Sequence, residues 1–302
     1  MASMTLAEGS AAATPSSGNV VMYGKADGLL YSKDDAGTET PLGNTPSINP
    51  GLIWGLTVSN NVTDVTNDID VATGYASSGA SPFTLMNLVS ALTKRLDAAW
   101  VVGTNQGMLA TGVAIANTTY HIFLIMRPDT GVVDIAADTS VTGANIAANT
   151  NVNYTLLRRI GSLIRTGAAI VRAVQNGNRF MYTAGGFLDV NATNPGTAAV
   201  TRTLTVPLGI VIEAVVLPTV DGITNSFAGW LLTSLDQDDV AETATNRTLS
   251  VAIATPGVQM STQAQVKTNT SGQIRSRTAA SGVADTFRLS TLGYIDSRGR
   301  DA

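Results

Sequence analysis

The sequence predicts an all-β protein: an antiparallel β-sandwich or jelly-roll-like body, preceded by an extended N-terminal arm and a short β-hairpin. Three observations carry that expectation. The apolar runs have strand length, as in Ile122–Met126. Many segments alternate apolar and polar with period two, as in Thr201–Val206. Turn dipeptides rather than helical stretches separate them, among them Asp27-Gly28, Asn176-Gly177, Asp221-Gly222 and Ser271-Gly272. Strands joined by short turns favour a sandwich over an α/β enzyme fold.

In chain order, residues 1–18 are small and nearly uncharged, so they cannot bury enough surface to fold alone. They read as an arm, free or paired with a neighbouring subunit. Residues 19–50 hold two strand-like runs, Val20–Tyr23 and Leu29–Ser32, around the Asp27-Gly28 turn. A second turn follows at Asp34–Gly37, then a Pro- and Gly-containing linker. A lone hairpin is marginal in water, so this unit needs a partner surface. Val20, Val21, Tyr23, Asp27, Gly28, Leu29, Leu30 and Tyr31 are its candidate assembly and anchor residues.

Residues 51–302 read as the β-sandwich domain, either one body or two divided near residue 210. Expected strands are Ile53–Val58, Ile69–Tyr75, Phe83–Leu92, Tyr120–Arg127, Val132–Ala136, Arg158–Arg165 and Ala169–Gln175. Further strands are expected at Arg179–Tyr182, Ala199–Val206, Ile210–Leu217, Ala228–Leu232, Thr248–Ala254, Ala264–Thr268, Gln273–Thr278 and Phe287–Asp296. One short helix is expected near Ala147–Leu157.

Composition narrows the chemistry. At 302 residues there is material for a sizeable core, and 44% hydrophobic content with 13% charge excludes a long charged disordered chain. With no cysteine, disulfides, thiolate metal sites and cysteine nucleophiles are excluded. A net charge of −4 argues against nucleic-acid binding. No run reaches the roughly 18 apolar residues of a membrane span, and the N-terminus lacks the basic start and apolar core of a signal peptide. A soluble chain with no membrane insertion is expected.

The candidate catalytic groups are few. His121 is the sole histidine and lies in an apolar strand, where a hydrogen-bonded structural role is expected. The carboxylates at Asp34-Asp35, at Asp64, Asp68 and Asp70, and at Asp236–Asp239 do not follow a calcium-loop spacing and read as turn carboxylates. With four Glu and three Trp, a carboxylate-lined sugar groove is poorly supported. No catalytic, cofactor-binding or metal-ligating residues are therefore assigned, and no cofactor is expected. Arg158, Arg159, Arg165, Arg172 and Arg179 concentrate basic charge in one segment, whereas residues 1–150 carry 5 Lys/Arg against 12 Asp/Glu. These arginines read as wet-face strand residues, as partners for that acidic half in a neighbouring subunit, or as a phosphate or polysaccharide site.

The segment Gly18–Thr40, GNVVMYGKADGLLYSKDDAGTET, resembles one that recurs in tailed-bacteriophage virion appendage proteins. Ala91–Trp100, Arg158–Leu163 and Leu292–Asp301 also resemble phage and prophage virion proteins. The resemblance implies a non-enzymatic virion structural component, homo-oligomeric and trimeric. Its N-terminal region would anchor it, and its β-sandwich would be exposed for host-surface contact. Its implied partners are itself, other virion proteins of tail or capsid, and a host cell-surface glycan or protein. Its implied location is the virion, assembled in the host bacterial cytoplasm. A head fibre or capsid decoration protein is the alternative reading. A polysaccharide-degrading tailspike fits less well, because no repetitive β-helix is apparent.

Overall fold

A computed structural model describes residues 8–42, 48–149, 153–221, 227–252, 259–279 and 285–300. The chain divides into two compact units, Met1–Ile48 and Asn49–Ala302. Nearly every described element is a strand, and most pairings are antiparallel, as the sequence predicts.

The first unit is a four-stranded sheet in chain order: Glu8–Gly9, Val21–Lys25, Leu30–Lys33 and Glu39–Pro41. The expected hairpin forms with Tyr23 opposite Tyr31. Part of the arm pairs within the chain, where Glu8 and Gly9 run parallel to Gly24 and Lys25. Both tight turns have the same form. Gly28 N donates to Lys25 O and Lys25 N to Leu29 O; Gly37 N donates to Asp34 O and Asp34 N to Thr38 O. Gly28 and Gly37 have φ of 79° and 87°. A three-residue loop ending in a left-handed residue is a common hairpin solution, and glycine occupies that position without a Cβ clash.

In the second unit the buried apolar residues fall into clusters that change over near residue 170. The earlier part holds an eight-stranded sheet. Its order is Ala169–Ile170, Leu156–Thr166, Thr119–Met126, Val133–Asp138, Gln106–Leu109, Leu92–Ala99, Asp68–Val71, Val58–Asn60. Beside it lies a three-stranded sheet of Ile53–Gly55, Gly74–Ser77 and Leu85–Leu88. Thr119–Met126 is buried along its whole length. Tyr120, Ile122 and Leu124 face one cluster, and Phe123 and Ile125 face another with Trp100 and Tyr154. Burial on both faces explains why this strand reads as a continuous apolar run.

The later part is a two-sheet sandwich. One sheet is built on Glu213–Asp221 and Thr286–Ile295; the other is ordered Val200–Thr203, Gln273–Thr278, Phe227–Thr233, Leu249–Ala252. Between them Trp230 and Phe287 meet edge to face, with ring centroids 5.4 Å apart. Leu204, Val206, Ile212 and Ala214 share that one cluster, so the core is continuous across residue 210.

Several expected elements are corrected. The run Ile53–Val58 is two strands, because Gly55 and Leu56 have φ of 65° and 53° and turn the chain from one sheet into the other. Its hairpin partner breaks at the same corner, into Asp68–Val71 and Gly74–Ser77. At that corner Leu56 N donates to Thr73 O, and Ala72 N to Thr57 O. The bend lets Ile53, Leu56 and Val58 all be buried. Phe83–Leu92 shortens to Leu85–Leu88, and the next strand begins at Leu92. The helix is Ala144–Asn149, earlier than expected, and residues 156–157 already belong to a strand.

The sheet is also not purely antiparallel. Leu92–Ala99 and Gln106–Leu109 pair in parallel, as do Gln106–Leu109 and Val133–Asp138. Parallel strands usually need a long crossover; here the connection is residues 100–105. A buried lysine holds it. The Lys94 ammonium donates to Val101 O at 2.8 Å and Gly103 O at 3.1 Å, and lies 3.2 Å from Asp134 Oδ1. Gly103 N donates to Asp134 Oδ2 at 2.8 Å.

Candidate functional site

The residues singled out in the hairpin are all in the first unit, and strand alternation distributes them over two faces. Tyr23, Lys25, Tyr31, Lys33 and Glu39 share one face. On it the Tyr23 and Tyr31 rings stack with centroids 6.1 Å apart, and Lys25 Nζ lies 4.4 Å above the Tyr31 ring. Lys25 also pairs with Glu39, and Lys33 Nζ is 3.6 Å from the same carboxylate. Hydrogen bonding from Lys25 first, with the charge of Lys33 adding to it, holds Glu39 down at about 2. Lys33 Nζ donates to Ala12 O at 3.0 Å, tying the arm to the sheet.

The turn has its own bracing. Asp27 accepts from Leu29 N at 3.0 Å and from the Tyr31 hydroxyl at 2.9 Å. Both bonds favour the ionised carboxylate, and the Asp27 pKa is lowered. Asp34 and Asp35 also brace the backbone, accepting from Thr38 N and Gly18 N at 2.7 Å each.

The opposite face carries Val20, Met22, Leu30 and Leu42. They are 64%, 54%, 37% and 44% exposed. None of the described residues of this unit belongs to any of the three hydrophobic clusters. The sheet therefore has one polar, internally bonded face and one apolar face in water. Val20 and Leu30 were legible as anchor residues. Met22 and Leu42 were not singled out, although period-two spacing from Val20 and Leu30 points to both. Val21 is on the bonded face, and Gly28 supplies the turn.

In the second unit His121 is buried and sits in a polar chain. Asp296 accepts from Arg159 at 2.5 and 2.8 Å, Arg159 donates to Ser162 Oγ at 3.1 Å, and Ser162 Oγ is 2.9 Å from His121 Nδ1. Burial, reinforced by Arg159, lowers the His121 pKa to about 4. The imidazole is neutral at pH 7, and His121 Nδ1 and Ser162 Oγ share one hydrogen bond. Ser162 and His121 are each 1% exposed, which keeps substrate away from the hydroxyl. The burial and the hydrogen bond of His121 agree with its place in an apolar strand.

The arginines correct another expectation. Arg158 and Arg159 turn inward rather than facing water. Arg158 donates to Pro50 O at 2.9 Å and Gly299 O at 2.8 Å. Among the described residues, no three His, Asp or Glu side chains group as a metal site. Asp236 pairs with Lys267 and Asp239 with Arg277, at 2.5 and 2.7 Å.

No family model matches the chain, and no curated protein matches it. Among solved structures, one of the infectious bursal disease virus Gt strain aligns over 89% of this chain and 62% of its own, with 10% identity and a TM-score of 0.21. This chain thus spans less than two thirds of that one, and a likeness of this size fixes neither fold nor role.

Proposed function

We propose that the chain is a non-enzymatic structural component of a tailed-phage virion, a fibre or tail protein anchored by its N-terminal unit. It forms a homo-oligomer, a trimer on the phage resemblance, and presents its β-sandwich body towards a host-surface glycan or protein. The observation that carries this reading is the apolar face of Val20, Met22, Leu30 and Leu42 on a small sheet without a core of its own. A single sheet has no second layer of its own to cover its apolar face, and contiguous exposed apolar groups mark interaction sites. The opposite face spends its polar groups on one another, so it offers a rigid backing. The resemblance of Gly18–Thr40 to phage appendage segments points the same way.

Intact virions labelled with an antibody against the second unit provide the test. Label at the tail supports the fibre reading. Label over the shell replaces it with a head fibre or decoration protein, and unlabelled particles overturn both.

A further inference from the structure

Arg298 is 2% exposed, yet its Nε and Nη1 have no hydrogen-bond partner. Two unpaired nitrogens on one buried guanidinium are unusual, because those donors lose their hydration with no hydrogen bond in exchange. Its backbone is fixed by a bond from Arg298 N to Asp296 Oδ1 at 2.8 Å. That carboxylate is already engaged by both Nη atoms of Arg159. Arg158 has its two Nη atoms on backbone carbonyls and its Nε unpaired. The three arginines line one cleft of about 520 Å³, together with Phe123, Thr142 and Ser297. Three arginines thus line one cleft, and only the Arg159 guanidinium is hydrogen-bonded to the Asp296 carboxylate. Burial first, then the neighbouring Arg300, Arg159 and Arg158, pull the Arg298 pKa down to about 10, with Asp296 opposing.

We propose that this cleft is an oxyanion site, taking a carboxylate, sulfate or phosphate group that supplies the acceptors Arg298 lacks. A guanidinium presents forked donors that match two oxygens of such a group. Thr142 and Ser297 add hydroxyls to the same wall. Nε and Nη1 are shielded from bulk water, so the ligand must enter the cleft and draw the side chain towards it. The site belongs to the second unit and stands apart from the assembly face.

The test is thermal unfolding of the full chain in sulfate, phosphate or acetate, against sodium chloride at matched ionic strength. The expected result is a saturable rise in Tm. At ten times half-saturation the ratio of folded to unfolded protein should increase about elevenfold. Equal effects of acetate identify a carboxylate ligand, and effects of sulfate and phosphate alone identify a tetrahedral one. Arg298→Met should abolish the rise without lowering Tm in anion-free buffer, because it removes an uncompensated buried charge. A linear rise shared by Arg298→Met is general salt exclusion and overturns the proposal, as does no rise beyond chloride. Should that variant fail to fold, crystals of the unchanged protein soaked in selenate decide the matter. An anomalous peak within hydrogen-bond reach of Arg298 supports the site, and its absence at saturating selenate overturns it.

Discussion

Lys94 and Asp134 are both fully buried, and each answers the other's charge. Burial alone lowers the Lys94 pKa and raises that of Asp134, while the pairing opposes both shifts. The two carbonyls around the ammonium and the Gly103 amide on the carboxylate make the arrangement strongly directional. Lys94→Met should cost about 3–5 kcal/mol, because it strands a buried carboxylate. Denaturant titration should show this as a lower midpoint at unchanged slope. Replacing both partners by apolar residues should recover part of the loss.

His121 gives a second residue-scale prediction. Its folded pKa of about 4 lies below the unfolded 6.5, so the unfolded chain binds the extra proton between those values. Its contribution is present above pH 6.5 and lost as pH falls towards 4, of order 3 kcal/mol in all. His121→Gln should flatten that part of the stability profile, measured as unfolding free energy at several pH values.

At the scale of elements, the N-terminal sheet depends on its charged face. Glu39 is held down at about 2 from its ordinary 4.5, first by its hydrogen bond from Lys25. The ionised carboxylate thus stabilises the sheet fully above pH 4.5, and that support is lost as pH falls towards 2. The methyl resonances of Met22 and Leu30 should therefore move towards random-coil positions over that range, and Glu39→Gln should show the moved state already at pH 7. The parallel pair in the body has a different constraint. A Cβ at Gly107 would lie 1.9 Å from Ala99 O and 2.6 Å from Ala98 O. Only glycine lets the two strands approach so closely.

For the whole molecule, the hydrophobic clusters belong to the second unit. All three hydrophobic clusters lie within residues 53–294. Deleting Met1–Ile48 should leave a body with nearly unchanged Tm but abolish incorporation into particles. A fully assembled truncated protein would sink the anchor reading. Met22→Asp should lower the oligomeric mass by light scattering while leaving the Tm of the body unchanged. That outcome would separate the role of the apolar face from the folding of the rest.

Period-two alternation and turn chemistry determined the all-β class and the hairpin around Asp27-Gly28, because these are local properties of the chain. Long-range pairing decided the rest. The corner at Gly55-Leu56 and the parallel run of Gln106–Leu109 between Leu92–Ala99 and Val133–Asp138 leave little local trace. The arginines of one strand were visible as a charge cluster. Their inward turn, and their convergence with Arg298 from the chain's far end, depended on a backbone that brings residues 158 and 298 to one cleft. Sequence spacing carries no distance of that kind; the tertiary packing of two sheets does.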